Sequence, residues 1–220
     1  MATWVVTGAN RGIGLEMCVQ LKARGETVIA GCRTSSKELD ALGVKVVDCV
    51  EMASDDGAKK IATALGATPI DVLLNNAGVL VPDALGSLDF DALRKQFEVN
   101  ALGPLRLTQG LMGKLAKGSK VALVSSRAGS IADNGSGGLY GYRMSKAALN
   151  MASVSLAKDL APKGIMVVAL HPGFIRTGMT GGAGNDDPPV AVKGLLARID
   201  ELTPSTSGKF FHANGEELPW

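Results

Sequence analysis

Aromatic side chains make up only 4% of the 220 residues, and there are just two histidines and three cysteines. His171 and His212, with no acidic cluster near either in sequence, leave neither a metal site nor a hydrolase triad to assemble. Cys18, Cys32 and Cys49 are odd in number, follow no metal-ligand spacing and fall where apolar positions are expected, so they read as reduced core thiols of a cytoplasmic protein. No apolar run approaches the roughly 18 residues of a membrane span, and strand-like sequence from Thr3 leaves no room for a signal peptide. Charge of one sign is lacking too: 23 basic and 21 acidic residues are dispersed along the chain, for a net charge of +2. Nothing in that balance favours nucleic acid or a membrane surface as a partner.

What is present is 46% hydrophobic sequence with 28 glycines, enough for one sizeable core. Short β-branched or apolar runs at residues 4–7, 27–30, 44–47, 71–74, 120–124 and 165–170 read as buried strands, with a last strand at 208–212. Helix-length stretches at 14–24, 55–65, 90–115, 145–160 and 190–202 lie between them. This alternation predicts an α/β doubly wound fold, a seven-stranded parallel sheet with helices on both faces. No linker or repeat divides residues 1–220, so a single domain is expected; the glycine-rich patch 178–189 and the helix after it, about 178–202, read as a lid.

Two local patterns carry chemistry. Gly8, Gly12 and Gly14, with Asn10, Arg11 and Ile13 between them, follow the first strand and open the first helix. Missing β-carbons there let backbone amides approach a pyrophosphate at a helix N-terminus. Tyr142 and Lys146 stand four residues apart, so on a helix they share a face. An ammonium beneath a phenol lowers its pKa and makes it a usable proton donor near neutral pH. The other tyrosine, Tyr140, has Met144 at that spacing and cannot make the pair.

The glycine spacing Gly-x3-Gly-x-Gly, Asn75-Asn-Ala-Gly78 after the fourth strand, Asn100 in the next helix, Ser125-Ser126 after the fifth strand, Tyr142/Lys146, and Pro172-Gly173 with Thr177 after the sixth occur in one order. In these motifs the chain resembles the short-chain dehydrogenase/reductase family. Within it, Gly129-Ser-Ile131, residues 142–150 and the tail 210–220 are similar to sniffer-type carbonyl reductases and bacterial C-factor proteins.

The resemblance implies an NAD(P)-dependent oxidoreductase in which Tyr142 gives a proton to a carbonyl oxygen. Lys146 lowers the phenol pKa and holds the nicotinamide ribose, and Ser126 hydrogen-bonds the same oxygen. Asn100 holds, through its backbone, a water that resupplies protons. It also implies that Asp48 and Cys49 face adenine, that Asn75, Ala77 and Gly78 line the adenosine side with Asn75 tying strands together, and that Pro172, Gly173, Ile175 and Thr177 wrap the nicotinamide. An acid at the end of the second strand would select NAD; Cys32-Arg33 stands there instead, so Arg33 with Arg11 favours NADP(H) through a 2′-phosphate.

Sixteen positions separate Ser126 from Tyr142, and the excess over the family pattern lies in the glycine-rich run 133–138, which leaves Ser125 as the alternative. The expected partner is a small-molecule carbonyl or alcohol. Reduction of a 3-oxoacyl thioester, with Arg127 and Arg143 as a thin docking patch, and a dinucleotide-binding signalling role are the other readings. The family also implies a homodimer or homotetramer.

Overall fold

A computed structural model describes residues 1–220. Seven parallel strands form one sheet: β1 (Thr3–Thr7), β2 (Thr27–Gly31), β3 (Lys45–Val47), β4 (Ile70–Asn75), β5 (Leu115–Val124), β6 (Met166–His171) and β7 (Phe210–His212), in the order β3-β2-β1-β4-β5-β6-β7. Strand alternation sends side chains to two cores. Trp4 and Val6 of β1 join one, Val5 the other.

The first core is covered by α1 (Gly12–Ala23), α2 (Lys37–Ala41) and α7 (Pro188–Asp200), through Met17, Leu21, Leu39, Leu195 and Ile199. On the second lie α3 (Asp56–Leu65), α5 (Gly103–Gly110) and α6 (Tyr140–Leu160), with Ile61, Leu65, Leu107, Leu149 and Leu160 facing the sheet, and α4 (Phe90–Phe97) packs against α6. This is the single doubly wound domain expected. Strand order reverses between β1 and β4, and the crevice at their carboxyl ends is where such sheets bind ligands.

Three boundaries differ from the sequence expectation. The helix expected at 90–115 breaks into α4, one turn of π-helix at Glu98–Leu102, and α5. Pro104 has no N–H to give the Asn100 carbonyl four residues earlier, and the chain restarts at α5 with proline in its first turn. Gly110 closes α5, and Leu115 already pairs with Ile70 as the start of β5. The helix expected from 145 begins instead at Tyr140, after Gly137, Gly138 and Leu139 in left-handed conformation. The α2 helix, capped by Ser36, is too short to show a helical period. Finally, Cys18 and Cys32 are buried as expected, whereas Cys49 is exposed, because it sits in a loop at φ 55 beyond the end of β3.

Candidate active site

A cavity of about 840 Å³ runs along the carboxyl edge of the sheet across the β1/β4 reversal, within the size range of cofactor pockets. Its floor at one end is the turn from β1 to α1, where Gly8, Asn10, Arg11, Gly12, Ile13 and Gly14 all line the wall. Here glycine is a geometric necessity: a β-carbon on Gly14 would overlap the Gly8 carbonyl oxygen, and Gly8 stands at φ 65 with the Ala77 backbone 2.9 Å from where its β-carbon would go. No side chain caps α1, so its first amides are open to an anion. Arg11 and Arg33 line the same end, and the chain's ion pairs engage other arginines. A cradle free of β-carbons, open helix amides and two unpaired guanidiniums fit a dinucleotide phosphate.

Residues at the β4 end divide differently from the expectation. Ala77 and Gly78 line the cavity, but the residue beside them is Asn76. Its carboxamide donates to the Thr7 carbonyl at 2.9 Å, and its N–H donates to the Thr7 hydroxyl at 3.0 Å, as does that of Ala77 at 3.1 Å. Asn76, not Asn75, therefore ties β4 to β1; Asn75 is the last strand residue, and its buried carboxamide has no protein partner. Strand alternation carried the signal, since Leu74 and Asn75 must point to opposite faces.

Asp48 and Cys49 do not reach the wall either. Asp48 accepts a hydrogen bond from the Cys32 thiol at 3.5 Å, and burial, joined by that bond, pushes the thiol up to about 11. The wall is made by Cys32, Thr34 and residues 50–53, positions that the sequence reading missed.

At the other end, Tyr142 and Lys146 lie on the wall one helical turn apart, with Lys146 Nζ 5.8 Å from the phenol ring centroid. Lys146 is 4% exposed, donates to the Val124 carbonyl at 2.8 Å, and is pushed down to about 8 by burial. Tyr142 departs from the expectation. Burial raises its pKa, and hydrogen bonding from Ser126 opposes the rise without overcoming it. Lys146, itself drawn toward neutrality and directed at a carbonyl, does not reverse that balance.

The two serines are used differently. Ser125 lies on the wall but donates its hydroxyl proton to Asn150 Oδ1 at 2.5 Å, whereas Ser126 faces Tyr142 and accepts the Ala128 N–H at 3.1 Å. Asn100 stands behind the wall in the π-helical turn, fully buried; Lys146 Nζ and Asn100 Oδ1 both lie near Gly78, 3.7 and 3.3 Å from where its β-carbon would be. Pro172 and Thr177 line the cavity, and the Thr177 methyl closes over Gly12. Gly173 and Ile175 do not; Ile175 is buried in a bridge to Asp186.

The irregular loops that follow β5 and β6 are held by arginines. Arg143 donates to the carbonyls of Gly137, Gly138 and Ala128 and to Ser136, pinning the long glycine-rich run. Arg127 pairs with Asp133 at 3.4 Å and Glu216 at 2.8 Å. Arg176 pairs with Asp187 and donates to the carbonyls of Gly184 and Asn185, folding the 178–189 patch back on itself.

Comparison with known proteins agrees with this geometry. A 1-hydroxy-2-glutathionyl-2-methyl-3-butene dehydrogenase of Rhodococcus sp. strain AD45 is 42% identical over the full length of both chains. The C-signal protein of Myxococcus xanthus is 47% identical over 74% of this chain and 99% of its own. An NADPH-bound carbonyl reductase from chicken fatty liver superposes with a TM-score of 0.91 over all of this chain and 99% of its own, at 27% identity. The family description "short chain dehydrogenase" matches residues 2–188, which include the glycine turn, the Tyr142/Lys146 pair and Thr177, and the chain belongs to that oxidoreductase family.

Proposed function

We propose that the protein is an NADP(H)-dependent carbonyl reductase, working reversibly as an alcohol dehydrogenase on a small or medium aldehyde or ketone. The observation that carries this reading is the presence, on one cavity wall, of a phenol and an ammonium one helical turn apart, with a phosphate cradle and two unpaired arginines at the other end. Gly8, Gly12, Gly14 and the amides of α1 would hold the pyrophosphate, Arg11 and Arg33 a 2′-phosphate, and Pro172 and Thr177 the nicotinamide end. When bound, the nicotinamide supplies or accepts the hydride.

The rest belongs to the chain. The phenol of Tyr142, kept protonated by burial, is the acid that delivers a proton to a carbonyl oxygen. Ser126, with its hydroxyl beside that phenol, orients the same oxygen, and Lys146, with a pKa near 8, exchanges protons near neutral pH. The Asn100 carbonyl, freed of its α-helical donor by Pro104, would hold a water that resupplies protons to Lys146. NADPH in the chicken carbonyl reductase and a hydroxy compound in the Rhodococcus dehydrogenase's name support the cofactor and the reversibility.

Purified protein with NADPH and a panel of aldehydes and ketones tests the reading. Carbonyl-dependent NADPH consumption is expected, falling about a thousandfold in Tyr142→Phe; no turnover of any carbonyl or alcohol, or an unimpaired Tyr142→Phe, overturns it. Arg127 and Arg143 are engaged within the chain, which weighs against a docking patch for a 3-oxoacyl carrier substrate. A dinucleotide-dependent signalling role rests on the C-signal relative, and predicts that Tyr142→Phe keeps the cellular phenotype. The reading carries with it a cytoplasmic location and a homodimer or homotetramer, the latter refuted by a monomeric mass in light scattering.

A further inference from the structure

Residues 79–83 leave the cavity wall as a strap that pairs with no strand. Two carboxamides on successive turns of the α4 and π-helical segment take a neighbouring strand's place. Asn100 accepts the Val79 N–H and donates to the Val79 carbonyl, both at 2.8 Å; Gln96 accepts the Val81 N–H at 3.0 Å and donates to the Val81 carbonyl at 3.3 Å. Both amides are fully buried.

Two residues further on, Asp83 reaches the helix that bears Tyr142. Its carboxylate accepts the Tyr140 N–H at 2.5 Å and the Gly141 N–H at 2.8 Å, the first two amides of α6. The residue in the N-cap position, Leu139, offers no side-chain oxygen and stands at φ 49, so the cap comes from a position 57 residues before Tyr140. A carboxylate there satisfies two orphan donors and meets the positive end of the helix dipole. Gly141 leaves the room: a β-carbon on it would overlap Gln96 Nε2 and come within 3.1 Å of Asp83.

We infer that Asp83 is a positioning residue for the acid, fixing the first turn of α6 and hence Tyr142, from a strap whose course is held by Gln96 and Asn100. The role rests on the reading of Tyr142 as proton donor; the cap itself does not.

Two measurements on the full chain test it, with NADPH and 4-nitrobenzaldehyde as the probe. In Asp83→Ala, kcat is expected to fall about 10- to 100-fold while the KM for NADPH stays within about twofold, because a small displacement of a reacting group is costly and the phosphate cradle is untouched. Asp83→Asn, which still accepts one hydrogen bond, recovers most of the loss, and Gln96→Met produces a smaller loss of the same kind. By hydrogen exchange, amides 140–146 lose protection in Asp83→Ala while the later turns of α6 keep theirs.

Wild-type protection of that first turn, wild-type kcat, or parallel losses in kcat and NADPH affinity overturn the proposal. If Asp83→Ala does not fold, Asp83→Asn and Gln96→Met carry the same readouts. If Asp83→Ala loses protection but Tyr142→Phe is fully active, the proton-donor reading fails and takes the positioning role with it. If Tyr142→Phe is inactive and Asp83→Ala behaves as wild type, the positioning role alone fails.

Discussion

Arginines on the cavity wall and arginines in the irregular loops after β5 and β6 stand in opposite conditions. Arg11 and Arg33, on the wall beside the glycine turn, engage no carboxylate, while Arg127, Arg143 and Arg176, off the wall, are consumed by Asp133, Glu216, Asp187 and a set of loop carbonyls. A guanidinium left unpaired on a cavity wall keeps its donors for a ligand; one spent on carbonyls organises backbone. The first set is thus free to bind, and the second holds irregular loops in place.

Substitutions sharpen or break this contrast. The largest effect is expected from Gly14→Ala at the binding end, where the β-carbon would overlap the Gly8 carbonyl and the Asn76 carboxamide: NADPH binding, followed by fluorescence titration, is lost, and urea unfolding shows a cost of about 1–3 kcal/mol. Next is Lys146, one turn from Tyr142 at the other end. Its folded pKa, about 8, lies below the ordinary 10.5, so burial of the ammonium costs stability below pH 8, and this cost vanishes as pH rises from about 8 to 10.5 and the unfolded chain holds the extra proton. Wild type therefore gains stability on Lys146→Met across that window, by up to about 3 kcal/mol in paired urea titrations; a constant gap would contradict the buried-ammonium account.

The arginines provide the direct test. Arg33→Ala is expected to weaken NADPH about 10- to 100-fold and NADH little, the loss of a charge-assisted hydrogen bond of about 1.5–3 kcal/mol. Arg143→Ala, the smallest effect, leaves NADPH affinity unchanged and costs about 1–2 kcal/mol of stability through the freed 136–138 carbonyls and hydroxyl. Equal losses of NADPH affinity in the two variants would erase the contrast.

The two ends also differed in how far the sequence revealed them. The glycine turn is local: strand, cradle and helix start lie within a dozen residues, and each glycine has a steric reason that spacing exposes. Tyr142 and Lys146 are legible for the same reason, being one turn apart on one helix. The expected lowering of the phenol pKa was not, because burial is set by everything packed around the phenol. Asn76 and residues 50–53, which line the cavity, lie one or a few positions from the expected Asn75 and Asp48 with Cys49, which do not, at strand ends where a single residue reverses the direction of a side chain. The helix expected over 90–115 failed at Pro104, whose effect depends on whether the surrounding packing ends a helix or absorbs a π-turn.

By itself the sequence determined what periodicity and neighbouring residues encode: seven apolar strands separated by helices, a phosphate turn, and an acid-and-ammonium pair in register. Tertiary structure alone decided which serine is free to face the phenol, which arginines are left unpaired, and that α6 begins at Tyr140. These outcomes depend on partners far apart in the chain, such as Asn150 for Ser125, Glu216 for Arg127 and Asp83 for Tyr140, and only the folded sheet brings them within hydrogen-bond reach.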